Sequence, residues 1–299
     1  MRRYILIISL TVLYAISSIF LIYKIKQKDV YYNSIIQAEK SKYTGFLIKD
    51  KNNLDILLMN GDDIINHHVL SDKQWEPHVQ NVLSQILKPK DKVLVLGGHI
   101  GIHATLISKL IGKDGKVFIF EPNPKILKFL RTNLFLNNAE NVTLYPKAAF
   151  SSNTNVAFIA KALGNVGGAH IITSEEDKNE NLEQLITVEA VSIDSINEIR
   201  TIDVLQMDIE GAEENAVYGA QKLIDRSPNL IVFQEWSPFW MKDIDTYLKF
   251  WRSRNYKIVQ ITLSGGLKEL TDEALKSSGQ IDIVMTRNLE KLINNFKPL

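Results

Sequence analysis

The chain has 299 residues, of which 45% are hydrophobic and 23% charged, a composition typical of a globular protein rather than a disordered one. Its 35 Lys and Arg residues nearly balance its 34 Asp and Glu residues, so the overall charge gives no indication of a nucleic-acid partner or an acidic one. Because the overall charge is balanced, selectivity for a ligand must come from a local site. The absence of cysteine excludes disulfides, thiolate metal sites and a cysteine nucleophile.

The first predicted element is an N-terminal membrane-spanning helix. Tyr4–Tyr23 is a run of 20 residues without a charge, with basic residues on both sides. At about 1.5 Å per residue, a helix of this length spans roughly 30 Å, the thickness of a bilayer core. A cleaved signal peptide is the alternative, but no Ala-x-Ala site follows the apolar run. We predict a single-pass anchor in residues 1–28 and leave open on which side of the membrane the rest of the chain lies.

Residues 29–88 are predicted to form a stalk and an N-terminal cap. The turn dipeptide Asn60-Gly61 predicts a connection between two short strands, Leu54–Met59 and Ile64–Leu70. Three histidines here lack an acidic or cysteine partner at ligand spacing, so we predict packing or surface roles and no metal site: His67, His68 and His78.

From Lys92 onward, apolar runs alternate with amphipathic segments, which is typical of β-α-β units. The predicted strands are Val93–Leu96, Val117–Phe120, Val142–Tyr145, Val204–Met207, Leu230–Gln234, Lys257–Thr262 and Ile281–Thr286. The predicted helices are Ile102–Ile111, Pro124–Leu136, Glu213–Ile224 and Ile244–Arg254. The last two strands have no helix between them, so we expect antiparallel neighbours. We place this domain at residues 89–290, followed by a tail at 291–299.

A long segment from Leu163 to Leu185 interrupts the alternation. It is rich in Gly, Asn and acidic residues, and we predict an exposed stretch that is either a lid or disordered. His170, which lies within it, is predicted to be an exposed loop histidine.

A glycine-rich loop follows the first predicted strand of this domain. Gly97, Gly98 and Gly101 allow a tight turn and let a ligand approach the backbone at the start of a helix. Glu121 directly follows the next strand, where a carboxylate can accept hydrogen bonds from the ribose hydroxyls of an adenosine-containing cofactor. The loop reads G-x-H-x-G around His99 rather than G-x-G-x-x-G, which argues against a nicotinamide-dependent oxidoreductase.

Six motifs in one order resemble the FkbM family of S-adenosylmethionine-dependent methyltransferases over residues 90–240. The family pattern consists of a V-D-x-G-A-N-x-G loop, a strand ending in E-P-N, an N-x-x-L-N helix end, an A-L-S-D-like turn, a T-L-D segment and an I-K-x-D-x-E-G-A-E segment. The matching stretches are Val93–Gly101, Phe120–Asn123, Asn133–Asn137, Ala148–Ser151, Ser192–Asp194 and Leu205–Glu213.

The resemblance implies a Rossmann-like class I methyltransferase fold, an α/β sandwich around a mainly parallel seven-stranded sheet with one antiparallel strand. It also implies S-adenosylmethionine as the cofactor and a methyl transfer to oxygen, on a hydroxyl of a glycan, a lipid-linked sugar or a secondary metabolite. No nucleic-acid partner is expected, and the oligomeric state stays open. The cofactor-binding residues implied by position are Gly97, Gly98, His99, Gly101, Glu121, Asn123, Ala148 and Asp208.

The catalytic candidates lie where ligands bind in open α/β sheets, beyond the carboxyl ends of the strands. Asp208 is expected to contact the methyl donor or acceptor, and Glu210 or Glu235 to deprotonate an acceptor hydroxyl. For Glu210 and Glu213, capping of the following helix is the alternative. Two nearby aromatic residues are predicted to pack rather than to stack on substrate: Trp236 and Trp240.

Three positions depart from the family pattern. Val95 replaces the Asp of the first strand, His99 replaces Asn, and Gln206 replaces Lys. The missing Asp removes a charge-assisted contact to the amino-acid end of the cofactor. Two roles for His99 stay open: it compensates with a hydrogen bond to the cofactor carboxylate, or it only fills space. The alternative function is therefore a catalytically silent, membrane-tethered binding module.

Overall fold

The computed structural model describes residues 45–161, 164–172, 185–294 and 296. The chain divides after Gly45, and the fold below is that of the unit Phe46–Leu299. The predicted anchor lies outside the described residues. Within the described part of the chain, no helix is long and apolar enough to cross a membrane.

The elements alternate between strands and helices along most of the unit. The strands are β1 Gly45–Lys49, β2 Asp55–Met59, β3 Lys92–Leu96, β4 Lys116–Phe120, β5 Val142–Tyr145, β6 Ala148–Ala149, β7 Thr154–Ile159, β8 His170–Ile171, β9 Leu185–Val191, β10 Val204–Met207, β11 Ile231–Trp236, β12 Lys257–Ile261, β13 Leu267–Glu269 and β14 Ile281–Thr286. The α-helices are α1 Asp63–Asp72, α2 Pro77–Ile86, α3 Ile102–Ile111, α4 Leu127–Leu136, α5 Glu213–Tyr218, α6 Gln221–Arg226, α7 Ile244–Ser253, α8 Asp272–Lys276 and α9 Leu289–Asn294.

The main sheet has eight strands in the order β13-β12-β14-β11-β10-β3-β4-β5. Strands β11, β10, β3, β4 and β5 are parallel to their neighbours in this series, whereas β14 runs antiparallel to both β11 and β12. The antiparallel closing pair is confirmed. The prediction of seven strands was wrong because the short and largely polar β13, which adds antiparallel to the edge of β12, shows no strand pattern in the sequence.

Two apolar layers sandwich this sheet because alternate side chains of each strand face opposite sides. Leu94 and Leu96 of β3 pack with the side that carries α5, α6 and α7. Val93 and Val95 pack with the side that carries α2, α3 and α4. The predicted three-layer α/β architecture is therefore present, with the carboxyl ends of β3, β4, β10 and β11 at one edge.

Two smaller sheets lie outside the predicted pattern. β1 pairs with β2, and β6, β9, β7 and β8 form a four-stranded sheet in that order. The predicted strand Ile64–Leu70 is instead part of helix α1. The Asp62 side chain accepts a hydrogen bond from the Ile65 backbone N–H at 3.3 Å and caps this helix.

The described part of the predicted lid, residues 164–172, is ordered against this smaller sheet through β8. His170 is only 3% exposed, so its prediction as an exposed loop residue was wrong. Its ring lies 5.6 Å from that of Trp240. Residues 163 and 173–184 of the predicted lid lie outside the described residues.

Two asparagines of the N-x-x-L-N motif join β2 to the body of the domain. Asn133 accepts from the Leu57 N–H at 2.6 Å and donates to the Leu57 carbonyl at 3.1 Å. Asn137 forms the same pair of bonds with Asp55, at 2.9 and 2.8 Å. Asn133 also donates to the Ile100 carbonyl in the glycine loop at 2.7 Å. The two amides satisfy backbone groups of β2 as a neighbouring strand would, which explains their spacing.

The predicted stalk and cap is part of the same compact unit from Phe46 onward. Val82 and Leu83 of α2 are fully buried in the apolar layer that also contains Val93 and Val95. In the predicted tail, Leu292 of α9 packs into that layer as well.

Candidate active site

The glycine loop lies directly against the acidic segment that follows β10. Gly97 has a φ of +86°, and a Cβ atom placed on it would lie 1.8 Å from the Asp208 carbonyl oxygen. A Cβ atom on Gly98 would lie 2.5 Å from the Ile119 side chain. Both positions therefore require glycine, and the close approach forms one wall of a cavity.

Glu121 holds this loop through both of its carboxyl oxygens. Oε2 accepts from the His99 N–H and Oε1 from the Asn123 N–H, each at 2.8 Å. Only 4% of Glu121 is exposed, and burial raises the pKa of its carboxyl to about 7. Because a carboxylate oxygen can accept more than one hydrogen bond, Glu121 keeps acceptor capacity toward the cavity that it lines.

The cavity has a volume of about 350 Å³ and opens at the carboxyl ends of the central strands. Of the predicted cofactor-binding residues, those on its wall are Gly97, Gly98, His99, Glu121, Ala148 and Asp208. Two others do not lie on the wall. Gly101 directly precedes α3, and a Cβ atom on it would meet the Leu130 side chain at 2.6 Å. Asn123 is fully buried, and its side chain donates to the Lys161 carbonyl and accepts from the Lys125 N–H. These two residues shape the loops and do not contact the cavity.

Three predicted catalytic acids meet in the same cavity. One carboxylate oxygen from each of Asp208, Glu210 and Glu235 lies within 4.8 Å of the others. Burial, and secondarily the neighbouring carboxylates, raises the pKa of Asp208 well above its ordinary value and that of Glu235 to about 8. Burial also raises the pKa of Glu210. Glu235 additionally accepts a hydrogen bond from Gln280 Nε2.

Glu213, by contrast, acts on the backbone. Its Oε1 accepts from the Ile209 N–H at 3.1 Å, and the side chain is 4% exposed and away from the cavity wall. Glu213 therefore stabilises the loop before α5. This role resembles the predicted helix capping, but the N–H group that it binds belongs to the loop and not to the helix. Glu210 does line the cavity, on a backbone with a φ of +52°.

Several polar residues at the site were not predicted from the sequence. Glu76 and His103 lie on the cavity wall, with Glu76 Oε2 2.8 Å from His103 Nε2. Asp62 Oδ2 lies 3.7 Å from His99 Nε2; burial raises the pKa of Asp62 to about 6 and lowers that of His99 to about 4. Gln280 comes from the start of the last sheet strand. Pro77, directly after Glu76, could have predicted the start of helix α2, because proline favours the first turn of a helix.

The two strand positions that depart from the family pattern are neighbours. Val95 of β3 and Gln206 of β10 are paired in the parallel register, and both line the cavity. Val95 is 1% exposed and Gln206 6% exposed. The Gln206 amide oxygen has no hydrogen-bond partner among the described residues.

The tryptophan and histidine residues that were considered in the sequence lie in packing or surface positions. Trp236 is fully buried and donates from Nε1 to the Leu275 carbonyl at 3.0 Å, as predicted for a packing residue. Trp240 packs over Gly211 and His170. His67 and His68 are exposed on α1, and His78 Nε2 pairs with Asp282 Oδ2 at 2.7 Å.

The chain is similar to several known proteins in sequence and in structure. The sequence model of the Methyltransferase FkbM domain matches residues 96–258, more than half of the chain. A protein-L-isoaspartate O-methyltransferase from Methanopyrus kandleri is 35% identical over 60 residues, which cover 19% of this chain and 26% of that protein. Another from Methanothrix thermoacetophila is 31% identical over 70 residues, covering 23% and 33%. The chain thus spans about a quarter to a third of the length of these curated relatives.

Similar solved structures include an S-adenosylmethionine-dependent O-methyltransferase from Thermotoga maritima, at 12% identity and a TM-score of 0.42, covering 81% of this chain and 77% of that one. An rRNA methylase from Streptococcus thermophilus has 12% identity and a TM-score of 0.38, covering 70% and 93%. By the extent of the domain match, this chain belongs to the FkbM-domain family of S-adenosylmethionine-dependent methyltransferases.

Proposed function

We propose that the protein transfers a methyl group from S-adenosylmethionine to an oxygen, on a hydroxyl of a glycan, a lipid-linked sugar or a related small metabolite. The observation that carries this proposal is one cavity lined both by Glu121 and by the clustered acids Asp208, Glu210 and Glu235. Glu121 suits the nucleoside of the donor, and the acid cluster suits a hydroxylated acceptor.

On the donor side, Glu121 accepts hydrogen bonds from the ribose hydroxyls while it continues to hold the loop N–H groups of His99 and Asn123. Gly97, Gly98 and Ala148 let the ligand approach the backbone. His99 lies on the same wall with its Nε2 near the buried Asp62, and it provides a polar contact to the amino-acid end of the donor. Val95 offers no such contact.

On the acceptor side, Asp208 positions the donor and acceptor, and Glu235 or Glu210 takes the proton from the acceptor hydroxyl. S-adenosylmethionine supplies an electrophilic methyl group on a sulfonium. The methyl–sulfur bond breaks as the oxygen–methyl bond forms, and the hydroxyl proton passes to the carboxylate and then to water. A base with a pKa raised toward 8 is well matched to proton removal near neutral pH. Positioning supplies much of the remaining rate, so few obligatory side chains are needed.

The test is transfer of a labelled methyl group from S-adenosylmethionine to a panel of hydroxylated sugars, lipid-linked sugars and phenols. We expect Glu235→Gln or Glu210→Gln to lower kcat by about 100-fold, because the base is lost while the shape is kept. Glu269→Gln, an exposed residue on β13, is the control and should retain wild-type turnover. If both acid variants turn over at the wild-type rate on a methylated acceptor, neither carboxylate is the base.

We also propose that residues 4–23 anchor the protein in a membrane, on the strength of their 20 uncharged residues. The anchored chain should stay in the membrane pellet after extraction at alkaline pH, because apolar burial in lipid does not depend on surface charge. Release into the supernatant would contradict a spanning anchor.

A further inference from the structure

We propose that Asp208, Glu210 and Glu235, together with the Gln206 amide oxygen, form a site for a divalent cation with oxygen ligands, of the Mg²⁺ or Mn²⁺ type. The inference rests on the proposed function for its role, since the ion would bind the acceptor hydroxyl in the same cavity, and the carboxylate oxygen of Glu210 or Glu235 that does not coordinate the ion would take the hydroxyl proton. Nothing in the sequence pattern predicted a metal here.

The spacing of the carboxylates fits one ion. Two oxygens on the same cation lie at most twice the metal–oxygen distance apart, about 4.2 Å for Mg²⁺ and roughly 4.8 Å for Ca²⁺. One oxygen from each of the three acids already lies within 4.8 Å of the others. Binding of Mg²⁺ or Mn²⁺ would require these oxygens to move closer together, to the shorter limit.

A second and independent observation is Gln206. Only 6% of Gln206 is exposed, and its Oε1 has no hydrogen-bond partner among the described residues. Gln206 lies in β10 and Asp208 directly follows this strand, and both residues line the cavity together with Glu235. A buried amide oxygen without a donor is costly unless something binds it, and a hard cation accepts this ligand.

The charge around the site has the sign that a cation requires. Five carboxyl groups line the cavity, those of Glu76, Glu121, Asp208, Glu210 and Glu235, and no Lys or Arg is present among the described residues of its wall. The basic side chains that act on Glu210, His170 first and then Lys161, both lie outside the wall. A divalent ion would offset this repulsion and hold an acceptor oxygen opposite the methyl donor.

The test measures Mn²⁺ binding to the full chain by loss of the free-ion electron paramagnetic resonance signal. We expect one ion per chain with a Kd of about 10 to 100 µM, displaced by excess Mg²⁺. Asp208→Asn and Glu235→Gln should each weaken binding at least tenfold, roughly, because each removes a charged ligand. Gln206→Leu, which keeps the approximate volume and lacks the amide oxygen, should weaken it severalfold. Glu269→Gln serves as the control and should bind as wild type.

Titration with S-adenosylhomocysteine in the presence of EDTA separates this proposal from the proposed function. If S-adenosylhomocysteine binds but no Mn²⁺ binds at 1 mM, the cation site is wrong and the methyltransferase proposal stands. Mn²⁺ affinity that is unchanged in both Asp208→Asn and Glu235→Gln would also overturn the cation site. Thermal unfolding checks the variants, and we expect no loss of Tm, since neutralising one acid relieves repulsion within the cluster.

Discussion

Glu121→Ala is expected to lower the affinity for S-adenosylhomocysteine by at least about 100-fold. Hydrogen bonds to a charged group contribute about 1.5 to 3 kcal/mol, and the proposed clamp makes two of them to the ribose. The same change leaves the N–H groups of His99 and Asn123 without their carboxylate acceptor, which loosens the glycine loop. Calorimetric titration of the full chain measures the effect, and an unchanged affinity would remove Glu121 from the donor site.

Glu121→Gln is the matched variant for this prediction. Its amide oxygen can replace only one carboxylate oxygen, so its NH₂ group faces one of the two backbone N–H donors. We expect a loss of about tenfold, intermediate between wild type and Glu121→Ala.

The raised pKa of Glu121 gives the same titration a pH dependence. The carboxyl of the free protein has a pKa of about 7, and ribose hydroxyls bind its charged form better. Affinity should therefore rise by up to about tenfold between pH 6 and pH 8, as the proton no longer has to be displaced. In Glu121→Gln this rise should be absent, and an equal slope in both proteins would assign the dependence to another group.

Val95→Asp alone is expected to lower the free energy of unfolding by about 3 kcal/mol. Val95 is 1% exposed in the core, and a carboxylate there would be an unpaired buried charge on the wall that also carries Asp208 and Glu235. Val95→Thr, which keeps the shape without a charge, is the control and should cost less. Urea unfolding measures the difference.

The double variant Val95→Asp with Gln206→Lys should recover about 2 kcal/mol of this loss, because the two positions are paired across β3 and β10. The family pattern has Asp and Lys at these positions, so the two departures of this chain act as one exchange of a charged pair for a neutral one. A coupling energy near zero between the two substitutions would contradict the exchange.

Strong local patterns made most of the central sheet predictable. Helix Ile102–Ile111 and strands Val142–Tyr145, Val204–Met207 and Ile281–Thr286 have the predicted bounds because apolar periodicity and glycine or turn residues mark both ends. Helix α1 was missed because its polar and apolar residues follow no clear helical stripe, and only the Asp62 cap identifies it. β8 is two residues long, and no local signal of that length predicts a strand.

The site residues that lie at the ends of central strands were predictable from the sequence. Glu121, Asp208 and Glu235 directly follow or end central strands, and strand ends meet at one edge. Glu76 and His103 reach the cavity through the packing of α2 and α3, a tertiary contact that spacing along the chain does not encode. Asn123 was placed in the cofactor site by resemblance, yet its side chain bonds to the backbone of two other segments.

The most direct test of the account is calorimetric titration of S-adenosylmethionine and S-adenosylhomocysteine into the wild-type full chain. We expect one site per chain with a micromolar Kd, equivalent to about −8 kcal/mol, despite Val95 and Gln206. No detectable binding to a chain that unfolds cooperatively would contradict a working methyltransferase and support the membrane-tethered binding module instead.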